Sequence, residues 1–171
     1  MVPYDPCVEI RGDDLLLRPV EAADADAITA GLNDPDAVRF MPSIPSPYTR
    51  AEADAWVERC ADVWRNGESY PFAIVEASTG EMLGSIELHP ANSMVGYWVA
   101  AGARGRGVAT RALQLLCGWT SQRPLRLTTH PENVASQRVA EKAGFRRVGT
   151  TSDHPVFNDG TREATLFELT A

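Results

Sequence analysis

The sequence predicts a single α/β domain with a central mixed sheet, mostly antiparallel, and helices on both faces. The chain has 171 residues, which is the size of one domain with one sizeable core. Three apolar runs in its middle, 70–77, 81–89 and 94–100, are joined by short polar turns, as in an antiparallel meander. Helical and strand patterns then alternate toward the C-terminus, which favours a mixed sheet.

The first third of the chain predicts one strand, one helix and a stiff loop. The run 14–20 is typical of a strand that ends at Pro19, and the Ala-rich segment 23–32 is typical of a short helix. Four prolines in the segment 33–48 exclude a long regular element. We therefore expect an irregular loop there, with one helical turn at 37–40.

A longer amphipathic helix follows this loop. Thr49 and Glu52 match the capping box, in which each side chain satisfies a free backbone N–H group. Apolar residues then recur at helical spacing until Gly67, and they are Ala53, Trp56, Val57, Cys60, Val63 and Trp64. After the meander we expect a helix from Val108, a strand at 125–130, a helix at 133–143 and strands at 145–150 and 163–169.

Composition and charge narrow the class of function. The net charge of −7 disfavours a nucleic-acid partner, because such binding needs Lys and Arg to neutralise phosphates. No apolar run approaches the roughly 18 residues of a membrane span, and the N-terminal segment lacks a signal-peptide pattern. Cys7, Cys60 and Cys117 are odd in number and far apart, which predicts reduced thiols and a cytoplasmic location.

The segment 102–110, GARGRGVAT, is a glycine-rich turn between a predicted strand and a predicted helix. A nucleoside-triphosphate loop is excluded, because Val108 and Ala109 stand where that loop needs Lys and then Ser or Thr. A dinucleotide turn is excluded as well, because Thr110 replaces its third glycine and the next strand carries no acid for a ribose. The remaining pattern is R-x-x-G-x-A, formed by Arg104, Gly107 and Ala109.

This pattern suits a pyrophosphate that is bound without a metal ion. Gly105 and Gly107 allow consecutive N–H groups to face one point, and a helix from Val108 adds its positive N-terminus. Arg104 and Arg106 bring positive charge to a polyanion. An ordinary glycine turn with solvated arginines fits the same residues equally well when the turn is taken alone.

Two segments of the chain together resemble a known family. They are VGYWVAAGARGRGVATRAL and NVASQRVAEKAGFRRVG, and they resemble the signature segments of the GNAT superfamily of acyl-CoA-dependent N-acetyltransferases. PSPYTRAEADAWV and GYWV further resemble the branch of the ribosomal-protein N-terminal acetyltransferases (RimJ/RimL-like). The resemblance runs from Leu15 to Leu169. It implies one GNAT domain over residues 1–171, in which the strand 94–100 splays from the strand 125–130 and acetyl-CoA fills the gap.

The resemblance also implies which residues hold the coenzyme. The pantetheine arm is expected against the backbone near Val99 and Ala101, with a backbone N–H near Val99 on the thioester carbonyl. Asn133 is expected to cap its helix and to reach the coenzyme or the splayed strand. The full predicted set is Trp98, Val99, Ala101, Arg104, Gly105, Arg106, Gly107, Val108, Ala109, Thr110 and Asn133, with no metal.

Acetyl transfer to an amine needs an acid for the departing thiolate and a base for the amine. In many relatives a tyrosine protonates the thiolate, at the position that Ala140 takes here. In the resembling branch a serine is the proposed substitute, and it corresponds to Ser136, although a hydroxyl in a first helical turn also fits simple backbone bonding. Glu87 is the candidate base, with a solvent-facing strand residue as the alternative.

The acceptor side is less defined. The proline-dense segment 33–48 is the candidate wall of the acceptor cleft, with Phe40, Tyr48 and Tyr97 as substrate-binding candidates, although a flap that closes the core also fits. The sequence does not distinguish among three amine acceptors: a protein N-terminus, a polyamine and an amine-bearing antibiotic. It is also compatible with a homodimer. We expect direct attack on acetyl-CoA in a ternary complex; Ala140 favours the alternative of a non-catalytic acyl-CoA-binding sensor or scaffold.

Overall fold

The structure is a computed structural model that describes residues 8–42 and 44–170, so the prediction for Cys7 lies outside the described residues. The strands are β1 (Ile10–Arg11), β2 (Leu15–Pro19), β3 (Tyr70–Glu76), β4 (Met82–His89), β5 (Met94–Val99), β6 (Leu125–Thr129), β7 (Arg146–Thr151) and β8 (Ala164–Leu169). The helices are α1 (Ala25–Gly31), α2 (Pro35–Val38), α3 (Arg50–Arg65), α4 (Val108–Trp119) and α5 (Val134–Lys142). Short 3-10 turns occupy Ala22–Asp24 and Ala101–Ala103.

The strands form one sheet in the order β1-β2-β3-β4-β5-β6-β8-β7. Neighbouring strands run antiparallel except β5 and β6, which run parallel. This arrangement confirms the predicted mixed, mostly antiparallel sheet. The two-residue strand β1 was not predicted, because two residues are too few to form a hydrophobic alternation.

The sheet parts between β5 and β6. These strands share one pair of register partners, Met94 and Arg126, and the Arg126 N–H donates to the Ser93 carbonyl at 2.8 Å. Beyond that point β5 stays fully paired with β4, and β6 stays fully paired with β8. Two intact half-sheets therefore diverge toward the C-terminal ends of β5 and β6, which confirms the predicted splay.

Local capping explains where the first helices begin. The Thr49 hydroxyl accepts from the Glu52 N–H at 3.3 Å, which confirms the predicted capping box of α3. The helical turn expected at 37–40 instead begins at Pro35, because Asp34 caps it and proline favours the first helical position.

Within the described ranges, no helix is long and apolar enough to span a membrane.

Helices cover both faces of the sheet, as the sequence predicts. The helices α4 and α5 contact the strands on one face, over the main core that contains Ile86, Leu113 and Phe167. The helices α1 and α3 contact the other face, over a second cluster that contains Ile28 and Val75. Side chains alternate along each strand, so consecutive residues of β4 and β5 face different helices.

Two of the cysteines belong to the buried interior. Cys60 in α3 and Cys117 in α4 are free thiols, as the sequence predicts, and both are buried. Burial raises the pKa of Cys60 to about 12 and that of Cys117 to about 11. Both thiols therefore stay protonated and behave as small apolar side chains.

Candidate active site

A cleft of about 510 Å³ opens where β5 and β6 part. Its walls are the end of β5, the glycine turn before α4, the first turns of α5 and the segment around α2. The carboxyl ends of parallel strands are a common position for ligand clefts. The cleft brings together most of the predicted site residues: Phe40, Tyr97, Trp98, Val99, Arg104, Gly105, Gly107, Val108, Ala109, Thr110, Asn133 and Ser136.

The glycine turn forms an open cradle of backbone N–H groups. Gly105 and Gly107 have φ angles of 74° and 73°, in the left-handed region that favours glycine. A Cβ at Gly105 would meet nothing within 4 Å, so this glycine serves the backbone conformation rather than a close contact. The first intrahelical bond of α4 joins the Arg111 N–H to the Gly107 carbonyl. The preceding N–H groups of this first turn, which have no intrahelical acceptor, suit an anion.

The two arginines of the turn take different directions. The Arg104 Nε donates to the Val99 carbonyl at 3.2 Å, and its guanidinium pairs with Asp34 at the start of α2. The Arg106 guanidinium turns away and donates to Glu76 at 2.8 Å, so it does not line the cleft. Ala101 lies in the short 3-10 turn, also outside the cleft lining. The placement of Arg106 corrects the expectation that both arginines bring their charge to the coenzyme cleft, while the expected backbone role of Ala101 stays a prediction.

Basic side chains that the sequence patterns did not identify complete this region. Arg111 donates to the Arg106 carbonyl at 2.7 Å and to Asp14 at 3.0 Å. Its side chain therefore connects the glycine turn to the residue that precedes β2 and stabilises the turn. Arg138 and Lys142, four residues apart on α5, are exposed and line the cleft. Their i, i+4 spacing was a usable signal, because it puts both cations on one helix face.

The first turn of α5 carries the predicted acid. The Asn133 side chain caps the helix by accepting from the Ser136 N–H at 3.1 Å, as predicted. The Ser136 hydroxyl lies 2.8 Å from the Tyr97 hydroxyl, and both residues line the cleft. Burial raises the pKa of Tyr97 to about 12. Ala140 is fully buried in the main core.

The aromatic pair at the end of β5 takes opposite faces, as strand alternation predicts. Tyr97 packs against the main core on the side of α5. The ring of Trp98 packs on the other side, where a Cβ at Gly31 of α1 would come within 2.2 Å of it. Trp98 is therefore fixed by α1 while it also lines the cleft.

The segment around α2 walls one side of the cleft through Ala37, Phe40 and Met41. The Phe40 ring lies against the ring of His130, with centroids 4.9 Å apart. His130 is buried; its Nδ1 accepts from the Glu132 N–H at 3.1 Å, and its Nε2 lies 3.0 Å from Asp159. The sequence patterns did not identify this histidine as a site residue. Its ring contact with Phe40 fixes the position of the Phe40 side chain at the cleft.

Tyr48 lies outside the cleft, which corrects the expectation that it walls the acceptor side. The Asn33 side chain accepts from the Tyr48 N–H at 2.9 Å and donates to its carbonyl at 2.6 Å. This clamp turns the Tyr48 ring into the second core cluster, where it is buried. For this residue the structure agrees with a flap that closes the core.

Glu87 also lies outside the cleft lining. Its register partner on β5 is Gly96, and its side chain is 21% exposed. A carboxylate oxygen of Glu87 lies 3.7 Å from the His89 Nε2. By strand alternation it shares a face with Ser85 and with Trp98, the register partner of Ser85. The carboxylate is thus half-buried beside the cleft rather than within it.

Comparisons with known proteins agree with this geometry. The family described as "Acetyltransferase (GNAT) domain" matches residues 14–146. A relative from Bacillus licheniformis, described as "Uncharacterized N-acetyltransferase p20", is 27% identical over 165 residues, which cover 91% of this chain and 92% of the relative.

Solved structures share the fold over nearly the whole chain. Mycobacterium smegmatis RimJ in complex with CoA-disulfide has a TM-score of 0.79 at 25% identity, over 92% of this chain and 82% of that one. RimL, named as the ribosomal L7/L12 alpha-N-protein acetyltransferase and solved in complex with coenzyme A, has a TM-score of 0.81 at 18% identity. That match covers 95% of this chain and 98% of RimL.

Proposed function

The chain belongs to the GNAT family of acetyltransferases, and we propose that it transfers the acetyl group of acetyl-CoA to a primary amine by direct attack in a ternary complex. The observation that carries the proposal is the cleft between the parted strands. One of its walls is a cradle of backbone N–H groups, and another wall bears hydroxyl groups. A polyanionic coenzyme suits the first wall, and a leaving thiolate suits the second.

The coenzyme pyrophosphate would lie in the cradle formed by 105–110. The N–H groups at the start of α4 suit its oxygens, and each such charge-assisted bond contributes about 1.5–3 kcal/mol. Arg138 and Lys142 line the same cleft and suit the remaining negative charge of the coenzyme, whereas Arg104 is already paired with Asp34. Neighbouring structures of this fold contain acetyl-CoA or coenzyme A, which supports the same ligand here.

The chemical step needs one proton donor and one proton acceptor. The amine attacks the thioester carbonyl, the C–S bond breaks, and Ser136 donates its proton to the departing sulfur. The thiolate would lie near the N-terminus of α5, whose dipole favours negative charge. Glu87 lies two residues along β4 from the pair of Ser85 and Trp98, or about 7 Å of strand. We therefore assign it to take the proton of the amine through water.

The acceptor side suits a cationic amine. Asp36 lies at the start of α2 and lines the cleft, Glu87 lies beside the cleft on β4, and Asp34 is already paired with Arg104. The net charge of −7 also favours a cationic partner. The name of the RimL neighbour supports a protein α-amino group as the first acceptor to test, with a polyamine and an amine-bearing antibiotic as the other two.

Thiol release from acetyl-CoA tests this function directly. The panel contains a peptide with a free N-terminus, a linear polyamine and an amine-bearing antibiotic, each beside its N-acetylated counterpart. We expect thiol release with at least one free amine, none with its blocked counterpart, and one added acetyl group by mass spectrometry. Binding of acetyl-CoA without turnover of any amine would contradict the proposal and favour a binding module.

Phe40→Ala is expected to raise the KM for the amine about fivefold, which corresponds to about 1 kcal/mol of lost apolar contact. The KM for acetyl-CoA should stay unchanged, because Phe40 belongs to the segment around α2 and not to the glycine turn. Phe157→Leu is the matched control: Phe157 packs on the other side of His130, with ring centroids 4.9 Å apart. If both variants lower Tm and neither changes a KM, the segment is only a structural flap.

Glu87→Gln is expected to lower kcat/KM about tenfold near neutral pH, where the amine must lose its proton before it attacks. The difference shrinks as the pH approaches the pKa of the amine, because the deprotonated amine needs no base. Glu81→Gln is the control, because it removes the same charge from an exposed position just before β4. It should leave kcat/KM and its pH profile unchanged. An unaltered pH profile in Glu87→Gln would assign the deprotonation to another group.

A further inference from the structure

Tyr97 and Ser136 come from opposite sides of the gap in the sheet. Tyr97 is on β5, and Ser136 is in the first turn of α5. The Tyr97 hydroxyl lies 2.8 Å from the Ser136 Oγ and 3.4 Å from the Ser136 carbonyl oxygen. Both residues line the cleft. The Tyr97 hydroxyl is therefore within hydrogen-bond distance of Ser136, the residue that donates a proton in the proposed function.

Either hydroxyl could donate in the 2.8 Å contact, and acidity favours the phenol as the donor there over its longer contact with the Ser136 carbonyl. A phenol is a stronger acid and a better donor than an aliphatic hydroxyl. Burial raises the pKa of Tyr97 to about 12, so it keeps its proton at every pH at which the enzyme would work. Tyr97 is then the donor and the Ser136 Oγ the acceptor, which leaves the serine proton free to point elsewhere.

Two contacts then fix Ser136 in place. The Asn133 side chain accepts from its backbone N–H at 3.1 Å, and the Tyr97 hydroxyl holds its Oγ. A serine in a first helical turn otherwise tends to bond the nearby backbone. A phenol that occupies a lone pair of the Oγ directs the remaining O–H bond toward the cleft.

We infer that Tyr97 is a positioning residue that donates to the Ser136 Oγ, orients the serine proton toward the coenzyme sulfur and stabilises the charge left on the oxygen. This inference rests on the proposed function. In the step, the C–S bond breaks and its electron pair goes to sulfur. The amine nitrogen bonds to the carbonyl carbon, and the Ser136 O–H bond breaks as an S–H bond forms. In the same step a cleft water returns a proton to the serine oxygen, and the resulting hydroxide takes up the proton that the amine releases. Tyr97 keeps its own proton throughout.

Tyr97→Phe tests the inference, because it removes the hydroxyl and keeps the ring that packs in the core. We expect kcat to fall about tenfold, the equivalent of one neutral hydrogen bond, with both KM values unchanged and Tm lowered by only a few degrees. The double variant with Ser136→Ala should be no slower than Ser136→Ala alone, because Tyr97 acts through the serine. Tyr48→Phe, which removes a buried hydroxyl outside the cleft, is the matched control and should retain full kcat.

A second readout needs no amine acceptor. The ultraviolet absorbance of the thiolate reports the pKa of the thiol of coenzyme A bound to the protein. Because the serine proton favours the thiolate, Ser136→Ala should raise this pKa, and Tyr97→Phe should raise it by part of the same shift. The double variant should match Ser136→Ala.

These readouts separate the two proposals. If no amine is turned over but the thiol pKa changes as expected, the proposed function fails and the positioning role of Tyr97 stands. If Tyr97→Phe leaves both kcat and the thiol pKa at their wild-type values, the inference is overturned while amine transfer stands. It is also overturned if the two substitutions have independent, multiplicative effects, or if Ser136→Ala changes neither readout.

Discussion

Gly107→Glu is expected to weaken the binding of acetyl-CoA about 10³-fold while the fold is retained. The new carboxylate would add a negative charge at the N-terminus of α4, where the pyrophosphate is expected, and its Cβ would lie 3.0 Å from the Arg111 guanidinium that supports the turn. It would also disturb about two charge-assisted hydrogen bonds, together worth about 4 kcal/mol. A side chain at a φ of 73° adds a smaller cost of about 1 kcal/mol to folding. Calorimetry measures the affinity, and circular dichroism measures the fold.

Two control variants separate charge from strain at this position. Gly102→Glu adds the same charge at the other end of the turn, where a Cβ meets nothing within 4 Å and the residue is exposed. It should bind nearly as wild type. Gly107→Asn tolerates the left-handed backbone without adding charge, and should lose much less affinity than Gly107→Glu. An affinity of Gly107→Glu within tenfold of wild type would contradict the cradle.

Ser136→Ala is expected to lower kcat about 10²-fold with little change in the KM for acetyl-CoA. Loss of a general acid typically costs at least this factor, and the interaction forms mainly in the transition state. Steady-state thiol release measures both constants. Ser85→Ala is the matched control, because the Ser85 hydroxyl donates to the Phe72 carbonyl at 2.9 Å, outside the cleft lining. If Ser136→Ala retains the kcat of wild type, the thiolate takes its proton from solvent.

Features that depend on neighbouring residues could be predicted from the sequence. The capping box joins Thr49 to Glu52, three residues away. The left-handed glycines of the turn follow from Gly105 and Gly107 themselves. The order of strands and helices follows from hydrophobic periodicity, which each segment carries on its own.

Features that depend on distant partners could not be predicted in the same way. Strand alternation indicates that Tyr97 and Trp98 face opposite sides, but not that Tyr97 meets a serine 39 residues away. The direction of Arg106 depends on Glu76, 30 residues earlier, and the burial of Tyr48 depends on the Asn33 amide. Each of these contacts exists only after the sheet and its covering helices have assembled.

The parted strands tie the stability of the domain to its ligand. The two half-sheets meet in register at Met94 and Arg126, so the gap beyond that pair belongs to the folded chain alone and does not exist in the unfolded one. A ligand that fills this gap binds only the native state and shifts the unfolding equilibrium by mass action. At a hundred times its Kd, this linkage adds about 2.7 kcal/mol to the free energy of unfolding. A sheet that paired continuously across β5 and β6 would have no such gap, and its stability would be the same with and without this ligand.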